Sequence, residues 1–154
     1  MKKLLPLLLF AAVLFSAFPA SAEKNRYATV LDGQQEVPPV KTQATGDLKL
    51  NLYEGELSFE LTVTNLTSPV AAHLYRGKRG ENGPPIAGLF GGPAKVGGFS
   101  GVLAEWTITE ENLLGELQGK KVADLVRLIR AGKTYINIIT GTFPDGEIRG
   151  QINK

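Results

Sequence analysis

The chain contains no cysteine, a single histidine, a single methionine and a single tryptophan. Without a thiol, a disulfide framework, a thiolate zinc site and a cysteine nucleophile are all excluded. With His73 alone, multi-histidine metal centres and most Ser-His-Asp arrangements are excluded as well. Neither sign of charge dominates: 17 basic side chains face 15 acidic ones, a formal net charge of +2. That balance does not describe a nucleic-acid surface, which needs clustered basic charge. No Walker loop, dinucleotide fingerprint or serine nucleophile elbow occurs, and the glycine-rich stretches lack the strand–loop–helix context of a phosphate cradle. What is present, 154 residues that are 43% hydrophobic and 21% charged, suits a folded domain with a core of useful size.

The long apolar run of the chain sits at its start. Lys2 and Lys3 precede Leu4–Phe18, and Ala20-Ser21-Ala22 follows. A basic n-region, a short h-region and an Ala-x-Ala site are the parts of a secretory signal peptide. The run is 15 residues long, short of the ~20 that a membrane span requires. Pro19 and the small-residue site also weaken the rival reading, an uncleaved anchor. No cysteine follows to take a lipid. Residues 1–22 are therefore expected to be a bacterial-type signal peptide, and residues 23–154 a single secreted domain, periplasmic or extracellular. Loss of Lys2 and Lys3 leaves 15 basic against 15 acidic side chains. Overall charge then implies no polyanion and no membrane surface.

The clearest local signal is a hairpin. Leu48, Leu50 and Leu52 alternate with polar residues, as do Leu57, Phe59, Leu61 and Val63. Glu54-Gly55 suits a two-residue turn. This register sets Leu52 opposite Leu57, Leu50 opposite Phe59, Leu48 opposite Leu61, and Lys49 opposite Glu60 on the other face. Further strands are expected at Tyr27–Leu31, Val70–Tyr75, Phe99–Ile108, Tyr135–Thr140 and Glu147–Ile152. The nearly unbroken apolar run at Tyr135–Ile139 predicts a central strand covered on both sides. Trp106, in step with Val102, Ala104 and Ile108, is expected in the core.

A helical insert interrupts the strands. Thr109 can cap a short helix through Leu113, Leu114 and Leu117, ended by Gly119. Val122, Leu125, Val126 and Ile129 form a second stripe, with Gly132 as its stop. The stretch Arg76–Gly98 holds eight glycines and three prolines. It reads as a long loop, functional or mobile, with Leu89-Phe90 packed down. Asn65-Leu66-Thr67 matches the N-glycosylation pattern, which a bacterial origin would make accidental.

Several stretches, in order, resemble the chordin-type domain called CHRD. They are Leu31-Asp32-Gly33-Gln34-Gln35-Glu36-Val37-Pro38-Pro39-Val40, then Ala72-His73-Leu74-Tyr75-Arg76-Gly77 with Gly80-Glu81-Asn82-Gly83-Pro84. Ala131–Ile138 and Pro144–Ile152 complete the set, which spans nearly all of the chain after residue 26. The resemblance implies an extracellular β-sandwich-like domain, found in secreted developmental antagonists and in bacterial secreted proteins. The fold class expected is therefore mainly β, an antiparallel sandwich of immunoglobulin-like or superoxide-dismutase-like type with a small helical insert. The family pattern commonly carries further histidines where this chain has Tyr75 and Ile139. A metal role in other members thus loses most of its ligands here, and no metal or cofactor is expected.

The expected function is a non-catalytic binding or structural module taking a protein or carbohydrate ligand, with no nucleic acid and no membrane span after signal cleavage. The candidate ligand-binding residues are His73, Tyr75, Arg76, Arg79, Asn82, Asn137, Glu147 and Arg149. Glu147 and Arg149, two apart on a strand, share a face and are candidates to pair with each other. The alternative is a hydrolytic enzyme using Glu147 with His73 or Glu36. It requires those groups to converge in one cleft.

Overall fold

A computed structural model describes residues 25–93 and 95–153 of the chain. The expected signal peptide lies outside the described residues. Eight strands follow one another: β1 (Arg26–Asp32), β2 (Thr45–Tyr53), β3 (Glu56–Thr67), β4 (Pro69–Arg76), β5 (Pro85–Gly91), β6 (Gly98–Ile108), β7 (Thr134–Thr140) and β8 (Ile148–Gln151). A helix, α1 (Val122–Arg130), sits between β6 and β7. Among the described residues no helix is long and apolar enough to cross a membrane.

The leucine hairpin forms in the register its pattern dictates. Leu52 pairs with Leu57, Leu50 with Phe59, Leu48 with Leu61 and Lys49 with Glu60. Its turn places Glu54 and Gly55 both at positive φ, the geometry that matches strand twist in a two-residue loop. The strand at Tyr135–Thr140 is central as expected. It pairs with β4 on one side and β8 on the other, and nearly every residue is buried.

All eight strands belong to one antiparallel sheet in the order β5-β4-β7-β8-β1-β2-β3-β6. The sheet curls until its edge strands β5 and β6 approach each other. Leu113 then bridges Ala87, and the Leu114 N–H donates to Ile86 O, so the connector after β6 covers part of the gap. The architecture is a nearly closed barrel in place of the two separate sheets of the expected sandwich. Two four-stranded halves remain recognisable, because among the described residues β1 pairs with β8 at Asp32–Arg149 alone, with an isolated bridge, Ala28–Asn153, just past the end of β8. Between those points Gln35 serves as a substitute peptide group. Its side-chain amide donates to Val30 O at 2.8 Å and accepts from the Gln151 N–H at 3.3 Å.

The interior is filled by the inward faces of both halves: Leu48, Leu50, Leu57 and Leu61 from one, Leu74, Ile136, Ile138 and Ile148 from the other. Val122, Leu125, Val126 and Ile129 of α1 are all buried there, and Gly132 ends that helix at positive φ. The preceding segment differs from expectation. Instead of one α-helix it makes two 3-10 turns, Glu110–Asn112 and Gly115–Leu117. Gly115, at φ +52°, breaks the run, and a Cβ there would lie 2.7 Å from Pro85 O where the connector crosses β5.

Two further expectations are corrected. Part of the presumed loop Arg76–Gly98, residues Pro85–Gly91, forms a strand, β5, whose Ile86, Ala87 and Leu89 are fully buried. Trp106 is 43% exposed. It does face inward, edge-on to Phe59 at 5.1 Å, but β6 is an edge strand of the sheet, and among the described residues no strand pairs with its far side. Val102 leaves the inner face altogether, because a bulge between Val102 and Ala104 shifts the register against β3.

Candidate functional site

On β4, β7 and β8 the residues alternating with the core point to the outer face of the sheet. Register places them in two cross-strand rows: His73–Asn137–Arg149 and Tyr75–Tyr135–Gln151. Glu147 and Ile139 lie one step further along the same face. This face is largely shut from water. Asn137, Glu147, Arg149 and Gln151 are buried, while His73 and Tyr75 are half-buried. Two segments cover it: residues 33–44, which enter through a 3-10 turn capped by Asp32, and residues 77–84.

Arg149 organises the second cover. Its guanidinium donates to Asn82 Oδ1 at 2.9 Å, Glu81 O at 2.8 Å and Lys78 O at 3.2 Å, and it lies over the Tyr135 ring at 3.6 Å. A planar fork suits such multiple recognition, and the aromatic face adds a cation–π contact. Tyr75 stacks on Tyr135 at 5.2 Å, and the Tyr135 hydroxyl accepts from the Gly83 N–H at 3.0 Å. Gln151 Nε2 donates to the carbonyls of Gly77, Gly132 and Thr134. Asn82 Nδ2 donates to Val37 O at 2.7 Å, which fastens the two covering segments to each other.

Glu147 does not pair with Arg149, contrary to the expectation from their spacing. Its two oxygens accept from the hydroxyls of Thr42, at 2.6 Å, and Thr140, at 2.7 Å, tying the first cover to β7. Glu36 takes the position nearer the centre. Asn137 Nδ2 donates to its Oε2 at 3.3 Å, and its Oε1 is buried without a partner, as is Asn137 Oδ1. Burial pushes the Glu36 carboxyl up to about 7, and the Arg149 charge offsets this only in part. The guanidinium spends its hydrogen bonds on the covering loop, not on this carboxyl. Burial lowers His73 and raises Tyr75, the latter with smaller contributions from Tyr135 and Glu36.

The eight sequence candidates therefore divide. His73, Tyr75, Asn137, Glu147 and Arg149 share the outer face, and Asn82 is bound to it. Arg76 and Arg79 stand apart, exposed. Arg76 is ion-paired to Glu116 of the connector at 2.6 Å, and Arg79 reaches Gln35 Oε1 at 3.4 Å. The enzymatic alternative needed Glu147 beside Glu36 or His73. Glu36 does approach the Asn137–His73 row, but Glu147 is occupied by its two threonines. Tyr75 and Ile139, where the CHRD resemblance leads one to look for histidines, do flank His73 on one face, so the geometry for a cluster exists without the ligands. Among the described residues no three imidazole or carboxylate groups gather closely enough to hold a metal ion.

Sequence reasoning missed Gln35, Gln151, Tyr135, Thr42 and Thr140. One signal was available: Glu147, Arg149 and Gln151 alternate with Ile148 and Ile152, a strand face made wholly of long polar side chains.

Fold and site together define a mainly β domain with a nearly closed antiparallel sheet and one loop-covered polar face. The family model of the CHRD domain matches residues 27–152, and the chain belongs to that family. No curated protein and no solved structure matches the chain.

Proposed function

We propose that this chain is a secreted, non-catalytic binding module, acting in the periplasm or outside the cell after removal of residues 1–22. Its ligand, a carbohydrate or a protein, is met by the outer surface of residues 77–84 together with residues 34–39. One observation carries this reading: buried side chains of the outer face hold those segments in place. Arg149 donates to Lys78 O, Glu81 O and Asn82 Oδ1, Gln151 donates to Gly77 O, the Tyr135 hydroxyl accepts from the Gly83 N–H, and Asn82 of the second cover donates to Val37 O of the first. A loop fixed in this way is pre-organised, and pre-organisation lowers the entropic cost of binding. Membership in the CHRD family supports a module that carries no chemistry of its own. The occupied state of Glu147 argues against the hydrolytic alternative.

The test is a screen of the purified protein against a glycan array and against extracellular proteins of its source, with Arg79→Ala and Asn82→Ala alongside. The expected result is a ligand whose binding both variants weaken. Hydrolysis of a glycoside or ester substrate that disappears in Glu36→Gln would overturn the reading in favour of an enzyme.

A further inference from the structure

The covering loop 77–84 has a cavity on each side. The first, of about 360 Å³, lies between Arg76, Lys78, Asn82, Pro84 and Lys133. The second, of about 370 Å³, lies between the loop and residues 34–39, with Gln34, Gln35 and Arg79 in its wall. Both are built by a rigid backbone. The Arg76 N–H donates to Pro84 O at 2.9 Å, and the Gly77 N–H to Lys133 O at 3.1 Å. Gly83 passes so close to Arg76 that a Cβ would lie 1.7 Å from its carbonyl oxygen. The loop cannot shift without breaking these contacts.

Charge is distributed unevenly over this frame. Glu81 is the one acidic residue lining the first cavity, against Arg76, Lys78 and Lys133. Its carboxylate turns back on the loop, accepting from the Lys78 N–H. Arg76 is already met by Glu116. Lys78 and Lys133 enter no ion pair among the described residues. Arg79 presents a further cation to the second cavity, where the Glu36 carboxyl, pushed up to about 7, is half-protonated near neutral pH. A chain that is formally neutral after residue 22 thus concentrates positive charge on two adjoining cavities.

Resting on the binding-module reading, we infer that this band binds an acidic polysaccharide, a chain of uronate-type sugars, along the loop. Two cavities in succession, each with its own cation, fit a polymer whose carboxylates repeat. They fit a single small anion poorly, because one exposed ammonium–carboxylate contact contributes little alone and gains by multivalency. The exposed amide of Gln34 in the wall of the second cavity suits a sugar hydroxyl. Single-stranded nucleic acid needs free aromatic faces for stacking, and Tyr135 lies beneath the loop, its ring occupied by Tyr75 and Arg149.

The experiment measures binding of the purified protein to polygalacturonate and to the same polymer fully methyl-esterified, at low and at high salt. Lys78→Glu and Lys133→Glu are compared with the parent; both side chains are exposed and unpaired, so thermal melts of the three proteins should coincide. Binding to the acid polymer alone, weakened about tenfold or more by each reversal and lost at high salt, is expected. Equal binding of the esterified polymer, or indifference to both reversals, overturns the inference. If the acid polymer fails while the screen above finds another ligand that requires Arg79 and Asn82, the inference falls and the module reading stands. If no ligand requires the loop, both fall.

Discussion

The two halves of the sheet treat their outer faces in opposite ways. On β2 and β3, Lys49 and Glu60 pair at 2.9 Å with side chains 70% and 41% exposed. On β7, β8 and the residue just before β8, Asn137, Arg149, Gln151 and Glu147 occupy equivalent outward positions and are each at least nine-tenths buried. Both faces read as the polar half of a period-two pattern. What separates them is coverage: the β1-β2-β3-β6 half is bare, while the other half lies under residues 33–44 and 77–84. A polar strand position facing water needs no partner, because water supplies one. A covered one must have its donors and acceptors matched within the protein, or it costs about 1–3 kcal/mol per orphaned group. The covered face accordingly specifies the position of both loops, and the bare face specifies only the strand register.

Arg149 gives the strongest test of that contrast. Arg149→Met removes the donors to Lys78 O, Glu81 O and Asn82 Oδ1 at once. The expected loss is roughly 3–5 kcal/mol in urea denaturation, because three acceptors lose a charged donor at about 1–3 kcal/mol each. Arg149→Lys keeps the charge but not the fork, and an intermediate loss is expected. A loss below about 1 kcal/mol for the methionine variant would mean that the loop is held by something other than this guanidinium.

A smaller and pH-dependent effect is expected at Glu36, the one covered carboxyl with an unpartnered oxygen. Its folded pKa lies near 7, above the ordinary 4.5. The native protein therefore keeps this proton over a range in which the unfolded chain releases it. Stability contributed by the group is complete below about 4.5, falls as the pH rises from there to about 7, and is level beyond. Glu36→Gln, permanently neutral, should melt like the parent at pH 4. At pH 8 it should be the more stable by up to about 3 kcal/mol, for a carboxyl moved from 4.5 to about 7, and melt higher by on the order of 10 °C for a chain of this size. Equal melting temperatures at both pH values would show that the carboxyl is ionised in the folded state without penalty.

How much of this was legible in the sequence follows from the same contrast. The leucine hairpin was readable to the residue, because one face is buried and a one-residue slip would turn every leucine outward. The run Tyr135–Ile139 correctly announced a strand covered on both sides, since apolar residues at both parities leave no face for water. Periodicity could not announce the loop cover over Arg149 and Gln151, because a polar alternation looks the same whether water or backbone lies above it. Glu147 and Arg149 were correctly placed on one face, yet their partners, Thr42 and the carbonyls of Lys78 and Glu81, lie far away in sequence. Trp106 failed for a related reason. Its parity was right and it does touch Phe59, but whether a strand lies beyond β6 is a property of the sheet order, which no local pattern records. The single sheet was missed likewise, since its continuity rests on Asp32–Arg149, Ala28–Asn153 and the amide of Gln35.

The bare face supplies the smallest expected effect and completes the comparison. Glu60 raises the Lys49 pKa by hydrogen bonding and by charge, so the pair exists as an interaction. Water surrounds both groups, however, and at physiological ionic strength the screening length of about 8 Å weakens what remains. Ordering two long side chains opposes the gain. Lys49→Ala, Glu60→Ala and the double variant should therefore show denaturation midpoints indistinguishable from the parent at 0.15 M salt, with any coupling between the two sites emerging only at low salt. The same cycle across the covered face, Thr140→Val against Glu147→Gln, should show coupling that persists in high salt, because that hydrogen bond is buried. Salt-independent coupling at Lys49–Glu60 would mean that the bare face is covered after all, by a second molecule or by a segment outside the described residues, and the distinction between the two halves would then have to be drawn elsewhere.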